Sequence, residues 1–238
     1  SGIDLVTAGF PCQAWSVAGK QLGDKDERGM LFWTTLEIIA HVLKHNPKAK
    51  FIMENVKMKK DFEEYITHHT TQALGYVEKI MIDSALVSAQ SRKRYYWTNF
   101  TVSQPEDRKI MLADILQPES EIEDKYFYGE KSIAYMERGN DKWMQAGSRR
   151  ADRYTQRATD DKSFTLTANM HKGVPYNYFH GDSGYRKLTA VECERLQGFN
   201  DGWTSAISDT QAYKCLGNGW NIDTIAHILA CGFPDLVK

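Results

Sequence analysis

The chain has 238 residues, with 30 Lys and Arg against 31 Asp and Glu, 42% hydrophobic and 12% aromatic residues. That suits one large globular domain, alone or with a smaller one. No apolar stretch is long enough to span a membrane, and the opening residues lack the basic-then-apolar plan of a secretory signal, so a cytoplasmic protein is expected.

Residues 3–8 read as a buried parallel strand that ends at Gly9. Just beyond it, Phe10-Pro11-Cys12-Gln13 places a cysteine where an open α/β sheet presents its reactive groups, outside the carboxyl ends of its strands. Residues 10–29 form a long loop with Gly19, Gly23 and Gly29, of the kind used as lids or binding loops. Residues 30–44 have helical periodicity. Phe51-Ile52-Met53 reads as a short strand ending at Glu54, and residues 61–74 as a helix stopped by Gly75. Val77 to Ile82 is a third strand, and Tyr95 to Phe100 a fourth, after Gln90-Ser91-Arg92-Lys93-Arg94. Strand and helix alternate, which predicts parallel α/β units.

The pattern changes after residue 105. Residues 106–185 carry one short helix (Met111 to Leu116), another near 131–138, then loops and short strands, which reads as a smaller, irregular domain. Residues 119–141 are acid-rich and residues 142–187 basic, with Arg149, Arg150, Arg153 and Arg157 among the cations. Such a stretch is either an electrostatic footprint for a phosphate backbone or a solvated surface. Thr189-Ala190-Val191-Glu192 is a capping box opening a helix to Gln197, with Gly198 as its stop. Residues 208–215 form a short helix, Gly217-Asn218-Gly219 a turn, and Trp220 to Ala230 a last helix.

Cys12, Cys193, Cys215 and Cys231 show no metal-ligand spacing and no disulfide framework. The last three are read as core fillers in helices. A cysteine, a carboxylate and an arginine pair at three successive strand ends point to nucleophilic chemistry on a polar, planar substrate.

With these elements placed, the chain resembles the cytosine-C5 DNA methyltransferase family. Gly9-Phe10-Pro11-Cys12-Gln13 with Ser16 and Gly19-Lys20 is similar to its nucleophile motif and mobile loop, and Arg28 to Phe32 to the helix start that follows. Glu54-Asn55-Val56 resembles its Glu-Asn-Val, and Gln90-x-Arg92-x-Arg94 its Gln-x-Arg-x-Arg. Arg186 to Phe199 resembles the motif after the target-recognition domain, and Gly217-Asn218-Gly219 the last motif. Five motifs in order, around a variable domain, make the resemblance specific.

The resemblance implies a Rossmann-like, S-adenosylmethionine-dependent methyltransferase sheet with a smaller irregular target-recognition domain. It divides the chain into a partial catalytic domain (1–105), a target-recognition domain (106–185) and a return to the catalytic domain (186–238). It implies double-stranded DNA as substrate and base flipping to expose the cytosine. Cys12 would be the thiolate that adds to C6. Glu54 would bond the ring N3 and exocyclic amine, and Arg94 the cytosine carbonyl oxygen. Arg92 is placed with this catalytic set and Gln90 with the DNA contacts, either one being structural or touching the sugar–phosphate. Without the family, Arg92-Lys93-Arg94 reads as a solvated basic loop. Gln13, Ser16, Lys20, Arg149, Arg150, Thr165, Leu166 and Lys172 are the other DNA-binding candidates. Pro11, Leu31, Asn218 and Gly219 would line the cofactor pocket. The family opens with a Phe-x-Gly-x-Gly loop and two acidic motifs that hold the cofactor, and this chain starts beyond them, so a separate N-terminal segment or chain carrying them is expected. No metal is implied. A prokaryotic or phage enzyme is expected, of restriction-modification or solitary type. The other readings are a non-catalytic DNA-binding subunit, an RNA methyltransferase of the same fold, and a thiol hydrolase.

Overall fold

A computed structural model describes residues 2–11, 29–135, 138, 161–172, 178–181 and 183–236. The chain divides into two compact units. One gathers Ser1–Asp83, Lys93–Gln104 and Ala226–Lys238, the other Ser84–Arg92 and Pro105–Ile225.

The first unit holds strand β1 (Leu5–Gly9), helix α1 (Leu31–His45), β2 (Lys50–Val56), α2 (Lys60–Leu74), β3 (Glu78–Asp83) and β4 (Lys93–Thr98). Their sheet has the order β1-β2-β4-β3. β1 and β2 are parallel, while β4 is antiparallel to both of its neighbours. Thus β1, β2 and β3 share one direction, as the alternation of strands and helices predicts, and β4 corrects the all-parallel expectation. The cause is the connection: residues 84–92 are too few for the crossover of about a dozen or more that a parallel pair needs, so the chain turns back. The central run Phe51-Ile52-Met53 is wholly buried, as expected of a strand covered on both faces. Phe32, Leu36, Ile39 and Val42 make the buried stripe of α1. Phe32, Leu36 and Ile39 join Phe10, Phe51, Met53, Ile66 and Trp97 in one core. The Trp97 indole N–H donates to Thr67 Oγ1 on α2 at 2.8 Å, so this large side chain is buried with its polar atom satisfied. α2 ends at Gly75 with φ 86°, the predicted stop.

The second unit has less regular structure. It contains a 3₁₀ turn at Leu112–Ile115 where a helix is predicted, the hairpin β5 (Tyr178–Gly181) and β6 (Gly184–Lys187), α3 (Ala190–Gln197) and α4 (Asp209–Asn218). A further helix, α5 (Ile222–Gly232), starts in this unit and finishes in the first. Gly217 and Asn218, expected in a turn, are the last residues of α4, and only Gly219 lies beyond it. The segment after Lys162, expected as a strand, makes one isolated bridge between Gln90 and Ser163 and then turns at residues 168–171. Residues 130–135 are helical, starting one residue ahead of the span predicted.

The predicted capping box is present: Glu192 N donates to Thr189 Oγ1 at 3.1 Å, and Thr189 N to Glu192 Oε2 at 2.8 Å. Glu192 has a second role that the motif does not disclose. Its carboxylate takes both Nη atoms of Arg186, at 2.8 and 2.9 Å, with both side chains wholly buried. Removing either partner would strand a buried charge. Gly198 ends α3 at φ 80°, and a Cβ there would stand 2.8 Å from Asp223 Oδ2 and 3.2 Å from Ile222 Cβ. Gly198→Ala is therefore expected to lower stability by about 1–2 kcal/mol, read as a lower urea midpoint at unchanged slope. Cys193 lies in the core with Leu112, Leu166, Leu196, Tyr213 and Leu216, and burial together with Glu192 and Glu194 holds its thiol well above the usual range. The core-filling reading fails for Cys215, which is exposed, and Cys231 is half-buried.

Candidate active site

In the first unit, the parallel register sets Gly9 beside Glu54. The last residue of β1 and the carboxylate-bearing residue of β2 are thus neighbours, and Phe10 and Pro11 follow immediately. β2 does not end at Glu54, as its sequence suggests, but continues to Val56. Asn55, buried, donates from Nδ2 to Phe10 O at 3.1 Å and ties the turn after β1 to β2. The sequence motif contains Asn55 but gives no sign of this brace.

The antiparallel register pairs Glu54 with Tyr96, and Val56 with Arg94. Glu54 and Arg94 are therefore diagonal neighbours on one face of the sheet, within reach of long side chains. Arg94 Nε donates to Glu54 Oε1 at 3.0 Å, with side-chain exposures of 13% and 12%. Arg94 Nη1 donates to Lys93 O at 2.9 Å. An acidic acceptor and a planar cationic donor are thus fixed side by side, almost out of water, beside the carboxyl end of β1. This pair can hold a planar group that presents donors next to an acceptor. The direction of β4 matters here, because its first turn of chain, not its last, brings Arg94 to the end of β2.

Pro11 is half-buried, and Leu31, in the first turn of α1, is 46% exposed beside the exposed Met30. The N-cap residue, Met30, makes no side-chain cap hydrogen bond.

In the second unit, Gln90 and Arg92 are interior residues. Gln90 is wholly buried; its Nε2 donates to Leu196 O at 2.8 Å and Gln197 Oε1 at 3.0 Å, and its Oε1 accepts from Leu166 N at 3.1 Å. Arg92 is 3% exposed and donates to the carbonyls of Leu166 (3.1 Å), Gly217 (3.3 Å) and Gly219 (2.8 Å). Arg92 is thus not the solvated loop residue that the sequence pattern allows. Thr165 Oγ1 donates to Ser91 O at 2.5 Å, and Leu166 belongs to the core. Lys172 is exposed, its backbone closing a turn onto Asn169 O at 2.9 Å. Asn218 is exposed at the end of α4. An apolar cleft is lined by Phe199, Trp203, Ile207, Cys215, Leu216 and Gly219, of which the sequence reading places only Gly219 at a pocket.

Cys12, Gln13, Ser16, Lys20, Arg149 and Arg150 lie outside the described residues. Among the described residues no group of three His, Cys, Asp or Glu side chains is placed to hold a metal, and no helix is long and apolar enough to cross a membrane.

The sequence pattern of the family described as C-5 cytosine-specific DNA methylase matches residues 1–231. The type II methyltransferase M1.ScrFI of Lactococcus lactis subsp. cremoris is 33% identical over 248 residues, covering 95% of this chain and 61% of that protein. M.HpaII of Haemophilus parainfluenzae is 31% identical over 265 residues, covering 93% and 69%. The chain thus spans about three fifths of the first of these relatives. Among solved structures, the Entamoeba histolytica methyltransferase EhMeth matches with TM-score 0.68 at 18% identity, covering 99% of this chain and 78% of that one. The S. pombe Dnmt2 methyltransferase matches with TM-score 0.68 at 18% identity, covering 99% and 79%. At that identity the likeness is one of fold, and it agrees with the expected α/β methyltransferase class.

Proposed function

The chain belongs to the C-5 cytosine-specific DNA methylase family, and on that premise we propose that it transfers a methyl group from S-adenosylmethionine to C5 of a cytosine flipped out of duplex DNA. The observation that carries this reading is the Glu54–Arg94 pair, 3.0 Å apart and nearly buried at the end of the strand that runs into Cys12.

Cytosine C5 is a poor nucleophile. A Cys12 thiolate adding to C6 makes C5 enamine-like, so that covalent catalysis divides one difficult step into two. Electron density arriving in the ring collects at N3 and O2. Glu54 holds a proton at N3 and accepts from the exocyclic amine, while Arg94 donates to O2. After C5 has taken the methyl group, a water molecule takes the C5 proton, its electron pair re-forms the C5–C6 double bond, the sulfur–C6 bond breaks, and the aromatic ring and the Cys12 thiolate return.

S-adenosylmethionine supplies the electrophilic methyl. Its candidates in the first unit are Leu31 and Met30, which offer exposed apolar surface at the start of α1, and Pro11, half-buried after β1. In the second unit, Asn218 is exposed, whereas the Gly219 carbonyl is already held by Arg92. A separate chain carrying the cofactor motifs draws no support from the relatives, in which the matched region lies within one longer protein. Gln13, Ser16, Lys20, Arg149, Arg150, Thr165 and Lys172 are proposed at the DNA, in a recognition domain that includes residues 106–185. Gln90 and Leu166 support that domain from inside. A restriction-modification role in a bacterial or phage cytoplasm accompanies this reading.

The test is incubation of the full protein with labelled S-adenosylmethionine and duplexes containing 5-fluorocytosine in varied sequence contexts. The fluorine blocks loss of the C5 substituent, so a labelled protein–DNA adduct is expected. A folded protein that gives neither adduct nor methylated DNA in any context would favour a non-catalytic DNA-binding role.

A further inference from the structure

The carbonyls served by Arg92 come from two distant segments. Leu166 precedes the turn at residues 168–171, while Gly217 and Gly219 end α4. The last carbonyls of a helix have no partner within it and carry the negative end of its dipole, so a cation there is well placed. Gln197 Nε2 adds donors to the same end, to Leu216 O at 2.5 Å and Gly219 O at 3.4 Å. Gln90 links Gln197 to the Leu166 amide.

The contact is also steric. A Cβ on Gly217 would fall within the van der Waals radii of the backbone of Thr167 and Ala168, so this segment lies directly on the backbone of α4. Leu166 is anchored in the core, and the Thr165 hydroxyl is bonded to Ser91 O. Residues 165–168 are therefore pinned on one side by residues 90–92 and on the other by the end of α4. A planar guanidinium serves several carbonyls at once with fixed donors, which an ammonium point charge does not reproduce.

We infer that Arg92 is a positioning residue for sequence recognition: with Gly217 it locks the segment Thr165–Ala168 in place, and it does not touch the reacting base. The recognition part of this inference rests on the proposed function. The locking does not.

Arg92→Lys and Gly217→Ala in the full protein test it with two readouts. Amide hydrogen exchange at residues 165–168 is expected to quicken about tenfold in Arg92→Lys, the scale of one lost charge-assisted hydrogen bond, and at least as much in Gly217→Ala, where the added Cβ forces the segment off α4. Steady-state methylation is expected to show KM for the preferred duplex raised about tenfold, with discrimination against single-base variants reduced and kcat at saturating DNA kept within about threefold. Added guanidinium should partly restore KM in Arg92→Ala and do nothing for Gly217→Ala. Unchanged exchange in Arg92→Lys, or a fall in kcat with discrimination intact, would overturn the inference, the second by making Arg92 a catalytic residue. If exchange quickens but the unsubstituted protein methylates no DNA, the proposed function and the recognition role fall together, and a purely structural lock remains.

Discussion

Cys12→Ser is expected to abolish the adduct with 5-fluorocytosine DNA and to slow methyl transfer by roughly 10⁴–10⁶-fold, the scale on which loss of a covalent nucleophile is felt. The reason is elementary. A hydroxyl at neutral pH is scarcely ionised and is a weak nucleophile without a base, whereas a thiol has an appreciable thiolate fraction. Without addition at C6 the ring has no route to an enamine, so binding and base flipping remain while chemistry stops. The other cysteines supply the contrast. Cys193 is wholly buried with its thiol held in the neutral form, and Cys215 is exposed on α4 in the second unit, away in sequence from any of the strand ends that carry the motif. Cys215→Ser should therefore keep transfer within about twofold, since surface replacements remote from such features have small effects. Full activity of Cys12→Ser would remove the nucleophile assignment.

Glu54→Gln is the second large effect, expected to lower kcat by about 10²–10⁴-fold, the usual weight of a positioned proton-holding group. The replacement keeps size and shape, so the packing of β2 should survive. What changes is the charge facing Arg94, whose Nε now donates to Glu54 Oε1 at 3.0 Å. An amide accepts this bond only through its carbonyl and so turns its NH₂ toward the place where N3 and the exocyclic amine must be accepted. The ring then meets a donor where it needs an acceptor, and N3 is left without its proton. Duplex binding measured at equilibrium should change by no more than about threefold, because phosphate contacts dominate affinity. Loss of binding in step with kcat would mean that Glu54 supports the fold, and a kcat within about threefold of the parent would place it outside the chemistry.

Much of the site was legible because it is local. The apolar run into Gly9, the Glu54-Asn55-Val56 triplet and the arginine motif are each contiguous, and Gly75 and Gly198 stop their helices as the residue type requires. The direction of β4 was not legible from its residues, since a strand's composition carries no arrow; only the brevity of residues 84–92 does. Glu54 was expected at a strand end because a carboxylate normally breaks an apolar run, and here its cross-strand arginine lets the strand continue. For Gln90 and Arg92 a structural role is one of the two readings the sequence allows, but the partners that fulfil it are beyond its reach. The Arg92 partners stand 74, 125 and 127 residues away, and no local pattern reports such a distance. Arg186 was read as part of a motif, and its burial against the capping-box glutamate follows from tertiary packing alone.

The first unit takes its pieces from three separated stretches of chain, Ser1–Asp83, Lys93–Gln104 and Ala226–Lys238. The last of them is no ornament: Lys50 Nζ bonds Gly232 O, and the Phe100 ring sits 2.8 Å from where a Cβ of Gly232 would be. On the ribosome, where folding generally proceeds from the N-terminus as segments emerge, the four strands are all made by Thr98, but the first unit's last stretch, Ala226–Lys238, follows only after Pro105–Ile225 has been synthesised. Until then the contacts of Gly232 with Lys50 and Phe100 are unmade, and cutting the chain after residue 225 would take from the first unit a stretch that no neighbouring sequence replaces.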